Sequence, residues 1–252
     1  GKYEDIVFLF SGGFFLSGVT NGNLWGNGVL SASRIVDFQP GIVGSNPGQA
    51  ENIIYVVNNS DPHFGESWQK WRDAVALGAD FYDGDGDGIY NPVDKNGNGI
   101  WDPDEDRPDL IGNVTAWSVL NDGVPAEQRR FGVEPQEVEI HQTFFAFGNT
   151  EHSLANTFFI RYRILNKSQN DWDSLYFSVA VDADLGDYTD DITGSDTITN
   201  SGYYYNYGPD SQYGTNPPAF FTTILQGPKI YISGETFIDV NGNGSYDEGI
   251  DI

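Results

Sequence analysis

The sequence predicts an all-β fold, mainly antiparallel and sandwich-like, interrupted by one short helix and by strongly acidic loops. Three observations carry this expectation. Glycine and aromatic residues are both abundant, with 31 glycines and 15% Phe, Trp and Tyr. Short apolar runs recur between turn-forming residues, as in strands joined by tight connections. In the centre of the chain, Val138, Ile140, Gln142 and Phe144 alternate with Glu137, Glu139, His141 and Thr143. Phe158, Ile160, Tyr162 and Ile164 alternate in the same way with Phe159, Arg161 and Arg163. Period-two alternation gives each strand one buried face and one wetter face.

Taken in order, "DIVFLF" (5–10), "GFFLSG" (13–18), "NIIYVV" (52–57) and "FFTTIL" (220–225) read as strands. Paired antiparallel, the two central strands would set Glu137 and Glu139 opposite Arg161 and Arg163. "SLYFSVAV" (174–181), with Leu175, Phe177, Val179 and Val181 on one face, extends the pair to a three-strand meander. One helix is expected over "ESWQKWRDAVALG", where Trp68, Trp71, Arg72 and Val75 share a stripe. Gly78 would end it in the left-handed conformation, and the helix would cover the edge of a sheet.

A chain of 252 residues accommodates one large β domain or two smaller ones. We read residues 1–252 as one large β-rich extracellular region. It carries a loop insertion at about 80–109 and the start of a further loop segment at about 235–252. The formal net charge of -25 argues against nucleic acid and anionic membrane surfaces as partners. No apolar run approaches the roughly 18 residues of a transmembrane helix. With no cysteine, neither a disulfide nor thiol chemistry is available. Methionine is absent and the chain opens with Gly1, which we read as a mature or trimmed piece of a longer secreted chain.

The segment "DFYDGDGDGIYNPVDKNGNGIWDPDEDRPD" (80–109) concentrates nine aspartates and one glutamate against one lysine and one arginine. Such crowding should keep a segment unfolded, yet its acids follow a pattern. A calcium loop of twelve residues takes side-chain oxygens from positions 1, 3 and 5, a backbone carbonyl from 7, a group at 9 and an acid at 12. Glycine at 6 permits the turn. Asp83, Asp85, Asp87, Gly88, Ile89 (carbonyl), Asn91 and Asp94 fill this frame. So do Asp94, Asn96, Asn98, Gly99, Ile100 (carbonyl), Asp102 and Glu105, so that Asp94 would close the first loop and open the second. A third copy runs through Asp239, Asn241, Asn243, Gly244, Ser245 (carbonyl) and Asp247. Its position 12 is Ile250, which leaves the last ligand to Glu248 or Asp251. An aromatic residue follows position 7 in each copy (Tyr90, Trp101, Tyr246) and would anchor the loop to the body. Bound Ca2+ would neutralise the charge. The alternative is a solvated acidic linker. Pro92 and Pro103, with no amphipathic helix after Glu105, argue for structural sites over a helix–loop–helix switch.

A second cluster, "VDADLGDYTDDITGSD", offers Asp182, Asp184, Asp187, Asp190 and Asp191 as one more oxygen site or as a solvated turn. No H-E-x-x-H, G-x-S-x-G or phosphate-binding glycine frame is present, and His63, His141 and His152 fit no catalytic motif. The run Tyr203, Tyr204, Tyr205, Tyr207 and Tyr213 would pack a loop or interface, or stack on sugar rings.

Three stretches together resemble a known family: "TAWSVLNDGVPAEQRRFGVEPQEVEIHQTFFAFG", "NTFFIRYRILNKSQNDWDSLYFSVAVDADLGDYTDD" and "PPAFFTTILQGP". They are similar to the N-terminal region of large bacterial surface proteins exported by type IX secretion and carrying a C-terminal sorting domain. The resemblance runs from about residue 11 to the end, with "NDG" and "DADLGD" its most specific parts. It implies export, a β-rich extracellular body and a metal at "DADLGDYTDD", but no reaction. The expectation is a calcium-stabilised extracellular structural or adhesive β protein of a bacterial surface, assembling with copies of itself or with other surface components. The alternative is a secreted carbohydrate-binding or carbohydrate-active module.

Overall fold

A computed structural model of the chain describes residues 1–28, 37–148 and 154–227. From the N-terminus, β1 (Lys2–Tyr3) and β2 (Ile6–Val7) form a hairpin, followed by β3 (Leu9–Thr20) and β4 (Asn23–Gly28). Next come β5 (Gln39–Pro40), β6 (Tyr55–Asn58), α1 (Glu66–Ala76), the one α-helix among the described residues, β7 (Phe81–Tyr82), β8 (Arg107–Pro108) and β9 (Val114–Asn121). They lead to β10 (Val138–Ala146), β11 (Phe158–Asn166) and β12 (Asp173–Ala183). Last are β13 (Asp191–Asp196), β14 (Ser201–Asn206) and β15 (Phe220–Thr223). The fold is all-β, mainly antiparallel and sandwich-like. It divides into two compact units, Gly12–Ala180 and Gly1–Ser11 with Val181–Ile252.

In the larger unit, β9, β10 and β11 form an antiparallel meander, with β5 and β6 both paired to β9. The register differs from the sequence expectation. Glu139 lies opposite Leu165, His141 opposite Arg163 and Thr143 opposite Arg161. The arginines therefore meet Asp80 and Asp109 instead of Glu137 and Glu139. The expected wet face of β10 is also buried, with Glu139, His141 and Thr143 each less than 5% exposed. The reason is α1, whose Trp71 and Ala74 pack on Tyr55, Val57, Trp117 and Val119 over that face of the sheet. Each such large apolar side chain contributes about 1.5–3 kcal/mol on burial.

Strand β12 also departs from expectation. It leaves the meander and joins a second sheet in the order β12–β3–β4. Phe177 on β12 stacks on Phe14 of β3 (ring centroids 5.5 Å apart) and lies 5.3 Å from Tyr162 of β11, across the interior. Its apolar face thus finds a better-filled core by crossing the sandwich than by extending the meander. Phe14, Leu16, Trp25, Phe38, Val138 and Ile140 form that core.

Helix α1 ends as its sequence predicts, with Gly78 at φ +101°. The Gly78 carbonyl accepts bonds from His141 Nδ1 (3.1 Å) and Arg163 Nη2 (3.2 Å), which join the negative end of the helix to two side chains of the sheet. Asp122, in the "NDG" stretch, is fully buried. Its carboxylate accepts from the amides of Gln136 and Val138 and from Asn27 Nδ2, and its charge is matched by buried Arg129. Removing one partner of such a pair costs more than the pair itself supplies.

In the smaller unit, β13, β14 and β15 form an antiparallel sheet. Tyr204 and Phe220 lie on one face, with the Tyr204 hydroxyl bonded to the Val181 carbonyl at 3.2 Å. On the other, Tyr203, Tyr205 and Phe221 form a row of rings 5.7–6.0 Å apart, with Phe221 60% exposed.

Candidate metal centre

The acidic excursion hangs from a two-stranded ribbon in which Phe81 pairs with Pro108 and Tyr82 with Arg107. Within it, the two loops repeat one another bond for bond. In the first, Asp83 accepts the amides of Gly86 (2.8 Å), Asp87 (3.2 Å) and Gly88 (2.8 Å). Asp85 accepts from Asp87 N and Asp87 from Ile89 N. In the second, Asp94 accepts the amides of Gly97 (2.6 Å), Asn98 (3.2 Å) and Gly99 (2.7 Å). Asn96 accepts from Asn98 N and Asn98 from Ile100 N. Gly88 and Gly99, at position 6 of each loop, both sit at φ +75°, a conformation that side chains rarely adopt.

Two buried acids complete the loops. Glu105 (1% exposed) accepts the amides of Lys95 at 2.6 Å and Asp102 at 2.9 Å, positions 2 and 9 of the second loop. Asp106 (2% exposed) accepts those of Gly84 at 3.0 Å and Asn91 at 2.6 Å, the same positions of the first. Asp94 accepts amides of its own loop on both oxygens, as Asp83 does, and Asp106 adds a buried acid to the first loop that the twelve-residue frame does not contain. Asn91 is also tied to the helix. Its Oδ1 accepts from Arg72 Nη2 at 2.8 Å, because α1 brings a cation to that side of the loop.

The oxygens of Asp83, Asp85 and Asp87 lie within 4.8 Å of one another. Ligands 2.3–2.6 Å from one Ca2+ are at most roughly 4.6–5.2 Å apart, so this triad can share an ion of that size. In the second loop, Asp102 Oδ2 accepts from the side-chain Nδ2 of Asn96 (2.7 Å) and of Asn98 (3.0 Å), which gathers the three side chains at one point. Lys95 Nζ contacts Asp85 at 3.0 Å and holds that carboxyl below its ordinary range. The Gly99 amide, helped by Gly97 and Asn98, does the same for Asp94. The side chains of Ile89 and Ile100 are exposed, 66% and 60%, so these residues offer the loops only backbone atoms.

The anchoring aromatics perform as expected. Tyr90 is buried and donates to the Trp68 carbonyl at 3.0 Å. Trp101 donates through Nε1 to the Glu105 carbonyl and through its amide to His63 Nδ1, while the Arg107 guanidinium lies 4.7 Å over its ring. Gly84 must be glycine, because a Cβ there would strike the Glu105 backbone. The third loop, Asp239 to Asp251, lies outside the described residues.

The second cluster belongs to the smaller unit and is only partly gathered. Asn206 Nδ2 bridges Asp190 (2.8 Å) and Asp191 (3.1 Å), and Asp191 also accepts the Leu185 amide. Burial, with the charges of Asp184 and Asp190, pushes the Asp191 carboxyl above its ordinary range. Asp187 caps its own turn through Thr189, and Asp182 is exposed at the end of β12. Three residues that sequence reasoning missed matter here. Asp106 and Asp210 lie outside any twelve-residue frame, and Lys95 was counted only as charge. Asp210, 4% exposed, accepts the amides of Asp187, Gln212 and Tyr213 and so holds the cluster's turn. In comparisons with protein families, curated proteins and solved structures, nothing matches this chain.

Proposed function

We propose that this chain is a calcium-stabilised extracellular β protein of a bacterial surface, structural or adhesive, assembling with copies of itself or with other surface components after type IX export. The observation that carries the calcium reading is the repeat of one bond pattern in two successive acidic loops, each closed by its own buried acid. Oxygen-only donors at this spacing suit a hard divalent cation, and a mix of carboxylate, amide and backbone oxygens suits calcium better than magnesium, which prefers rigid octahedral sites. Thermal melting in millimolar calcium and in excess chelator tests it: coincident curves would remove the reading.

A second reading is a secreted carbohydrate-binding module, favoured by the exposed ring row of Tyr203, Tyr205 and Phe221. Tyr203 lies over Gly194, where a Cβ would meet its ring, and is partly exposed between Tyr205 and Phe221. Binding of oligosaccharide probes that is lost in Tyr203→Ala would favour this reading.

A further inference from the structure

At one end of the larger unit, three connections line an open cleft of about 450 Å³. They are the β3–β4 turn, residues 133–137 ahead of β10, and the β11–β12 turn. Small-molecule sites commonly span about 300–1,000 Å³. Asn21 Nδ2 donates to Asn170 Oδ1 at 3.2 Å and ties the first turn to the third at the rim. Trp25, 3% exposed, lines the cleft, fixed by an Nε1–H bond to Thr20 Oγ1 and by edge contact with Trp172.

The backbone of this rim is unusual. Glu137 sits at φ +56°, left-handed for a long side chain, and its carbonyl is held there by the Lys167 amide at 3.1 Å. A non-glycine residue in this region costs of order 1 kcal/mol, and such outliers gather at functional sites.

The chemistry of the lining selects a ligand class. It contains the carboxylates of Glu134 and Glu137 and no basic residue, which disfavours phosphates, sulfates and nucleic acid. Those carboxylates bond to no described residue, and they belong to no close metal-binding group among the described residues. Gln136 Nε2 bonds back to the Glu134 carbonyl and leaves its Oε1 as an acceptor. Ser168 is engaged within its own turn, but Asn170, whose Oδ1 is taken by Asn21, keeps its Nδ2 as a donor, so the wall offers a donor and an acceptor that complement hydroxyls, which are both at once. Leu24, 77% exposed on the same lining, supplies an apolar surface for the C–H face of a saturated ring.

We propose that this cleft binds a short neutral oligosaccharide. The inference goes beyond the calcium reading and stands apart from it, since the cleft shares no residue with the metal loops. The test is calorimetric titration of the whole chain with maltohexaose, cellohexaose, laminarihexaose, xylohexaose and mannohexaose, and with hexagalacturonate as the anionic control. Each is run in calcium and again in chelator, at a temperature where circular dichroism shows both forms folded. The expected result is binding of at least one neutral series, weakened about tenfold or more in Leu24→Ala and in Asn170→Ala, both exposed positions, and unchanged in Tyr203→Ala. Hexagalacturonate should not bind. The proposal is overturned if no neutral series binds at about 10 mM probe, if binding survives both cleft variants, or if Tyr203→Ala abolishes it. Binding that persists in chelator would leave it intact even where the calcium reading fails.

Discussion

Glu105 and Asp106 are neighbours in the chain, yet each carboxylate closes a different loop: Glu105 takes the amides of Lys95 and Asp102, Asp106 those of Gly84 and Asn91. Two successive loops are thus locked through one dipeptide, and each has an acid that the other does not use. The expected consequence is that the two sites can be disabled separately. Asp106→Ala should weaken the first site about tenfold or more, roughly 1.4 kcal/mol, and Asp94→Ala should do the same to the second alone. Calcium titration by calorimetry reads both. Loss of two binding events in Asp94→Ala would instead show that residue to be a shared ligand.

Removal of calcium should destabilise the larger unit and loosen its acidic excursion first. A ligand at about 100 times its dissociation constant adds about 2.7 kcal/mol per site. With two such sites, chelation should lower Tm markedly and open residues 80–109 to protease before β9–β11 are cut. Mass mapping of the first fragments checks the order, and an initial cut within β9–β11 would contradict it.

Arg107→Ala should reproduce part of this effect with calcium present. The guanidinium lies 4.7 Å over Trp101 and 5.4 Å over Tyr82, a contact of about 0.5–2 kcal/mol. Weaker binding at the second site, with the first unchanged, is the expected calorimetric result.

At Gly78 a Cβ would lie 2.5 Å from His141 Cε1, in a backbone conformation that alanine resists. Gly78→Ala should cost about 1–3 kcal/mol in urea unfolding, by displacing the end of α1 from its bonds to the sheet.

Acid should act through Glu139. Burial would raise its carboxyl, but bonds from His141 and the Val43 amide, with the Lys167 charge, hold it below the ordinary value of 4.5. A depressed carboxyl contributes stability that is fully present above the unfolded pKa and lost as pH falls through the folded one. Tm should therefore fall as pH drops below about 4.5, and less steeply in Glu139→Gln. Parallel pH profiles for the two proteins would refute this.

Much of this structure was legible in the sequence because it is local. Gly78 ends α1 where the Trp68 and Trp71 stripe stops, and the loop glycines mark positive φ because little else tolerates it. Partner choice was not legible where it depends on distant chain. Alternation in β10 marked Glu139 and His141 as wet, since nothing nearby in sequence announces that α1 will cover them. Phe177 looks the same whether its strand extends the meander or crosses the sandwich. Asp106, the buried acid that bonds the first loop, escaped the twelve-residue frame because it arrives 23 residues after Asp83.

Arg161 bonds Asp80 at 3.1 Å and Asp109 at 2.6 Å, so one side chain holds the entry and the exit of the acidic excursion together. Seen from the sheet, thirty residues of chain occupy the place of a tight turn. Closing a longer loop costs only about 0.6 kcal/mol per doubling of length. The length of the excursion is therefore cheap at its root, whereas exchanging it would take the buried Tyr90 out of the core it shares with Trp71 and Trp117.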